Sequence, residues 1–174
     1  MYIKTEKNKG PGAARNLGVK NADTEWVAFN DSDDLWHEDK LKKQFEYIEA
    51  HPEFDLVYCG YRAILHNESV VSVPSRNELE KLEGSIYYAL LEQNYIGAPT
   101  VVVNREKFLC MGDFNEEFQC LEDWDFAVRF AKNYKIGFVN EDLMDVKLRS
   151  GGVSSKAGNY FEARCKIVKV ILTS

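Results

Sequence analysis

The stretch Trp26-Val27-Ala28-Phe29-Asn30-Asp31-Ser32-Asp33-Asp34-Leu35-Trp36 constrains this chain more than any other. Its four leading apolar residues suit a short buried strand. The run then stops abruptly in the carboxylates of Asp31, Asp33 and Asp34. In an open α/β sheet the carboxyl ends of the strands face the ligand crevice. Like charges gathered there repel, so the cluster is costly without a cation. Oxygen ligands suit Mg2+ or Mn2+. Mg2+ usually takes one or two carboxylates and completes its shell with water and substrate phosphates, which fits a nucleotide diphosphate. The local alternative is that Asp31 or Asp34 caps the helix that follows. An EF-hand loop is excluded. Counting from Asp31, Trp36 stands where that loop needs glycine and Lys42 where it needs glutamate.

The rest of the chain alternates strand and helix patterns. Residues 2–5 read as a weak strand, and a helix starts near Pro11 after the turn signal Asn8-Lys9-Gly10-Pro11-Gly12. Residues 37–50 form an amphipathic helix on Leu41, Phe45 and Ile48. Strands are predicted over 54–65 and 70–73, a polar loop over 74–83, and a helix over 85–93. A β-branched strand over 100–103, a short helix over 105–111 and a longer helix over 121–134 follow. Strands at 136–139 and 143–148, a loop over 149–158 and a last helix over 159–172 complete the pattern. The alternation argues for an α/β domain with a mostly parallel sheet. At 174 residues the chain fits one domain with a real core.

A net charge of −6 without a basic stripe argues against a nucleic-acid partner. An acidic protein that binds phosphate needs a cation or local donors at its site. Cys59, Cys110, Cys120 and Cys165 show neither C-x-x-C nor zinc-finger spacing, so they read as free thiols in a reducing compartment. No apolar run reaches the length of a membrane span, and the first residues lack a signal peptide's apolar stretch. A cytoplasmic location is the expectation. The tail Lys166-Ile167-Val168-Lys169-Val170-Ile171-Leu172-Thr173-Ser174 suits either a peripheral contact at the inner face of the membrane or a core-packed helix.

Two further motifs carry chemistry. Gly10-Pro11-Gly12-Ala13-Ala14-Arg15-Asn16-Leu17-Gly18 opens a helix, where a glycine-rich turn can cradle phosphate. It is neither a Walker A loop nor a G-x-G-x-x-G fingerprint. Arg15 can offer a planar fork to a base or phosphate, or stand as a surface arginine. Glu122-Asp123-Trp124-Asp125 opens the longer helix. First-turn carboxylates suit the helix dipole; alternatively one of them is a general base. Trp124 either walls an acceptor pocket or belongs to the core.

Together these segments resemble family 2 glycosyltransferases, over most of the chain from about Lys4 to about Ser155. The resemblance implies a GT-A fold: a Rossmann-like, mixed and mostly parallel sheet with helices on both faces. It implies transfer of a sugar from a nucleotide-diphospho-sugar, with UDP as the first expectation, to a saccharide or lipid-linked saccharide hydroxyl, with inversion. Mn2+ or Mg2+ is the implied cofactor, and surface polysaccharide synthesis the implied setting. Residue by residue, it assigns Asp33 to the metal, Asp31 to the donor ribose or the metal shell, and Arg15 to the nucleobase side. It places the catalytic base at Asp123, with Glu122 second. The metal would stabilise the leaving nucleoside diphosphate as a Lewis acid. A donor-binding half over 1–50, an acceptor-binding half with the Glu122-Asp123 motif over 51–155 and a C-terminal helix over 156–174 are expected.

The chain departs from the family pattern twice. The family's late Arg-x-His element falls on Lys147-Leu148-Arg149-Ser150, without the histidine. Arg149 or Ser154 is left to contact the donor from a loop that could close over it. The family's first β-α-β passage is also missing, about 45 to 60 residues on usual connection lengths. The domain is therefore expected to be N-terminally truncated and weak or absent in activity, with a full-length parent active. An inactive fragment serving as a binding module and a nucleotidyltransferase-like enzyme are the competing readings.

Overall fold

The computed structural model describes residues 2–4, 7–65, 67–147 and 157–173. In chain order the elements are α1 (Pro11–Asn21), β1 (Trp26–Ala28), β2 (Leu35–Trp36), α2 (Lys40–Ala50), β3 (Leu56–Ile64), β4 (Val70–Val73), α3 (Tyr87–Glu92), β5 (Val101–Asn104), α4 (Arg105–Cys110), α5 (Glu122–Asn133), β6 (Ile136–Lys147) and α6 (Ala157–Thr173). Short 3-10 turns lie at Arg76–Lys81 and Ala98–Thr100.

The strands form one sheet in the order β1-β5-β3-β6-β2, with β4 hydrogen-bonded to β3. It is mixed, as expected, but not mostly parallel. Of the ladders among the described residues only β3–β6 is parallel; the β1–β5, β3–β5, β3–β4 and β2–β6 ladders are antiparallel. Two of the four antiparallel ladders come from one insertion. β1, β3 and β6 run the same way, as wound β-α units require. β5 enters between β1 and β3 in the opposite direction and converts what would be a parallel neighbour into two antiparallel ladders.

Both faces of the sheet are covered, and the side-chain period of two sorts the strand residues between two cores. Leu56 and Tyr58 of β3, Val101 and Val103 of β5, and Ile136 and Phe138 of β6 join the larger cluster. That cluster is completed by Val19 of α1, Leu90 of α3, Phe108 of α4, much of α5, and Ala163 and Ile167 of α6. Val57, Cys59, Val102 and Val139 face the other way, against Ile48 and Tyr47 of α2. Helix α2 lies so close there that a Cβ on Gly137 would come within 2.9 Å of the Phe54 and Tyr47 rings.

Five local expectations change. β1 is an edge strand with Ala28 exposed rather than a buried strand, and α2 buries Lys40, Gln44 and Ile48 while Leu41 and Phe45 of the expected apolar face are exposed. Tyr2, Ile3 and Lys4 form no strand, and the polar loop over 74–83 contains a 3-10 turn. Tyr58 and Tyr95 hold the end of that turn through hydroxyls donated to the carbonyls of Leu82 and Lys81. The two strands predicted over 136–148 are one continuous β6, because a register shift against β3 near Gly60 absorbs the polar Asn140-Glu141-Asp142 interruption.

Candidate active site

The site is built from α1 upward. Asn8 Oδ1 accepts the Gly10 N–H at 3.0 Å, and Gly10 takes φ 93°, a region open to glycine, so the chain turns directly into Pro11. Proline's fixed φ suits the first helical position. At Gly12 a Cβ would lie 3.3 Å from Phe114 Cβ and 3.4 Å from Glu122 Cγ. Asn16 is buried and exchanges two hydrogen bonds with the Phe114 backbone: its Nδ2 donates to the carbonyl at 2.8 Å and its Oδ1 accepts the N–H at 2.9 Å. The glycine-rich motif thus docks α1 tightly on the segment preceding α5.

This docking aims Arg15. Its guanidinium donates from Nη2 to both oxygens of Asp31 at 2.7 Å and from Nη1 to Glu122 Oε1 at 2.5 Å. Charge-assisted contacts are the strong class of hydrogen bond. Burial alone would lower the Arg15 pKa, but Asp31 and then Glu122 outweigh it and the pKa is raised. One cation therefore ties the acidic turn after β1 to the first turn of α5. Arg15, Asp31 and Glu122, all singled out in the sequence, meet directly.

The Asp34 N–H donates to the Asp31 carbonyl at 3.1 Å and closes a tight turn with Asp33 exposed on it. Burial pushes the Asp34 carboxyl up to about 6; Asp31 and Asp33 add to this, and Arg15 works against it. The turn thus holds more negative charge than its neighbours balance. Among the described residues no three His, Cys, Asp or Glu side chains converge as a ready-made metal cage.

Past the turn, Trp36 Nε1 donates to the Pro99 carbonyl at 3.0 Å. The adjacent Ala98 N–H donates to Asp123 Oδ2 at 3.2 Å, and the Trp124 N–H to Asp123 Oδ1 at 2.7 Å. Leu121 sits at φ 63°, in the left-handed region, and turns the chain into α5. Burial, followed by the Glu122 charge, raises the Asp123 carboxyl above the usual carboxylate range; the two N–H donors and Arg15 oppose it. A carboxyl raised in this way takes a proton more readily than an ordinary aspartate.

Sequence reasoning missed Tyr61. Burial, then Asp123, then Asp34 push its phenol up to about 12, so it lies within electrostatic reach of both acids. Nothing in the strand pattern of β3 distinguished it. Trp124, expected beside the acceptor, is corrected: it is 3% exposed, packs in the larger core, and donates its indole N–H to the Leu90 carbonyl. Helix α5 is buried around most of its circumference, so its aromatics serve packing. Arg149 and Ser154 lie outside the described residues.

The chain has relatives among known proteins, in sequence and in fold. The family described as Glycosyl transferase family 2 matches residues 1–109. An uncharacterized glycosyltransferase of Haemophilus influenzae is 30% identical over 146 residues, covering 81% of this chain and 48% of that protein. TuaG of Bacillus subtilis, named for teichuronic acid biosynthesis, is 30% identical over 153 residues, covering 86% and 57%. The chain thus spans about half the length of these relatives. S. aureus TarS in complex with UDP-GlcNAc superposes with a TM-score of 0.72 at 22% identity, covering 98% of this chain and 49% of that one. The mannosyltransferase PcManGT from Pyrobaculum calidifontis, in complex with GDP-Man and Mn2+, gives 0.70 at 16% identity, covering 99% and 46%. These two show the shared GT-A fold. No helix among the described residues is long and apolar enough to cross a membrane.

Proposed function

Because the chain belongs to glycosyl transferase family 2, we propose that it supplies the acidic and basic groups for moving a sugar, with inversion, from a nucleotide-diphospho-sugar to an acceptor hydroxyl. The observation that carries this reading is the Arg15 clamp, which holds the Asp31–Asp34 turn beside the Glu122-Asp123 end of α5. Donor chemistry and proton removal must meet within one crevice, and the clamp brings their two carriers together. The nucleotide sugars held by TarS and PcManGT support the donor class, with a UDP-sugar as first choice.

The residues fit a divalent cation. Asp33 is exposed on the turn, and Asp31 and Asp33 add a repulsion to the burial that raises the Asp34 pKa, a repulsion that a cation would relieve. Asp33 would hold the ion with Asp34 behind it, and donor phosphates and water would complete an oxygen shell. Asp31, expected at the ribose or in that shell, gives both oxygens to Arg15 and is assigned the role of orienting the turn. When bound, the cation supplies positive charge for the departing nucleoside diphosphate. The Mn2+ in PcManGT supports this choice.

Asp123 is assigned as the base. Each of its oxygens accepts one backbone N–H, which fixes the carboxylate and leaves lone pairs for an acceptor proton. Glu122, the second candidate, is buried and engaged with Arg15, which supports Asp123 instead. In the reaction the acceptor oxygen attacks the sugar's anomeric carbon, its proton passes to Asp123, and the bond to the diphosphate breaks. The acceptor class is a saccharide or lipid-linked saccharide, in a surface-polysaccharide setting at the inner face of the membrane; the teichuronic acid biosynthesis in TuaG's name supports the polysaccharide part of this reading. The test is Asp123→Asn. UDP affinity in Mn2+ is expected to stay within about twofold while transfer falls by about a hundredfold or more. Near-normal turnover would move the base elsewhere.

A further inference from the structure

Lys40 is a charge that the proposed mechanism does not use. It is fully buried at the start of α2, and among the described residues no carboxylate pairs with it. Burying an unpaired ammonium is costly, and well-packed apolar replacements of buried charges are often neutral or stabilising. Stability therefore does not explain the residue. Its contacts do. Nζ lies 4.0 Å from the centre of the Trp36 ring and donates to Gln44 Oε1 at 2.6 Å. Gln44 Nε2 in turn donates to the Thr100 carbonyl at 2.9 Å and the Val57 carbonyl at 3.3 Å. Trp36 donates to the Pro99 carbonyl at 3.0 Å. The contacts close a ring: Lys40 to Trp36 to Pro99, along the chain to Thr100, and back through Gln44.

The ring spans two parts of the site. Trp36 lies two residues past Asp34, the end of the acidic turn, and the Ala98 N–H beside Pro99 holds Asp123. We infer that Lys40 is a positioning residue: its ammonium, shared between the Trp36 ring and Gln44, sets the spacing between the acidic turn and the Asp123 carboxylate. A cation over an indole face gains most where water is excluded, as here. Burial lowers the Lys40 pKa to about 8, with Cys59 opposing, so the charged form still dominates at neutral pH. An apolar side chain of equal volume would fill the space without holding the Trp36 ring or orienting Gln44.

This inference rests on the glycosyltransfer reading, and its experiment separates the two. Lys40→Met, Lys40→Arg and Trp36→Phe are made in the full protein. Tryptophan is replaced by its 5-fluoro analogue for 19F NMR in the wild-type and lysine variants, with the Trp36 signal assigned from its loss in Trp36→Phe. Lys40→Met is expected to keep or raise Tm, to shift the Trp36 signal, and to lower transfer by about ten- to a hundredfold, the range that small misplacements produce. UDP binding in Mn2+ should change less than twofold, and Lys40→Arg should recover transfer in part. Trp36→Phe, which keeps a ring but loses the N–H to Pro99, should also lower transfer, and it decides the matter if Lys40→Met does not fold. Unchanged transfer in Trp36→Phe, or in a folded Lys40→Met with the Trp36 signal unmoved, overturns the inference. A lower Tm with transfer intact reduces Lys40 to a packing residue. If the wild type shows no transfer with UDP- or GDP-sugars, the functional reading fails, and the 19F shift alone then decides whether Lys40 fixes Trp36.

Discussion

Replacing Asn16 by leucine tests whether α1 is docked as described. The side chain keeps nearly its volume but loses both polar ends. The Phe114 N–H and carbonyl, now paired with Asn16 at 2.9 and 2.8 Å, would be left buried without partners. Each unsatisfied buried backbone group costs about 1–3 kcal/mol. Partial relaxation of the loop reduces the sum, so a loss of about 2–4 kcal/mol is expected. With a urea m-value of about 2 kcal/mol/M for a domain of this size, the unfolding midpoint should fall by about 1–2 M with m unchanged. Equilibrium urea unfolding followed by tryptophan fluorescence reads this directly. Because α1 carries Arg15, UDP affinity in Mn2+ should weaken as well. A midpoint shift below about 0.3 M would show that the Phe114 backbone finds other partners, and the docking argument would be wrong.

Other outcomes follow from the acidic turn. Asp33→Ala should abolish the Mn2+-dependent part of UDP binding measured by calorimetry; unchanged affinity would remove Asp33 from the metal role. Asp34 has a folded pKa raised to about 6, so the stability linked to its proton is present below the unfolded value near 4 and is lost as pH rises through 6. Without metal, Asp34→Asn should therefore raise the urea midpoint at pH 7.5 and leave it nearly unchanged at pH 3.5. Equal effects at the two pH values would refute the assigned burial and repulsion.

Much of this was legible from local pattern. The apolar run ending in aspartates, the α5 periodicity and the β-branched β5 announce themselves, because strand and helix periods are written into neighbouring residues. The direction of β5 was not legible, since pairing partners are chosen by the crossovers between strands rather than by the strands themselves. Arg15 was recognised as a candidate, but its second partner, Glu122, lies 107 positions away. Trp124 misled for a different reason: an aromatic beside two acids looks like a ligand wall, and only the packing of α3 and α6 around α5 buries it. Lys40 was hidden by its type. A lysine in an amphipathic helix ordinarily belongs to the solvated face, and no periodicity signals one placed beneath a tryptophan ring.

The shared guanidinium of Arg15 also restricts how this protein can change over generations. Losing the arginine first would strand the acid of residue 122 beneath the surface, a defect worth about 3–5 kcal/mol for buried pairs and enough to erase much of a small domain's margin. Neutralising the acid first is the gentler route, since the cation would still be matched by residue 31. Positions 15, 31 and 122 are thus bound into a sequence of permitted substitutions, in which order matters as much as identity.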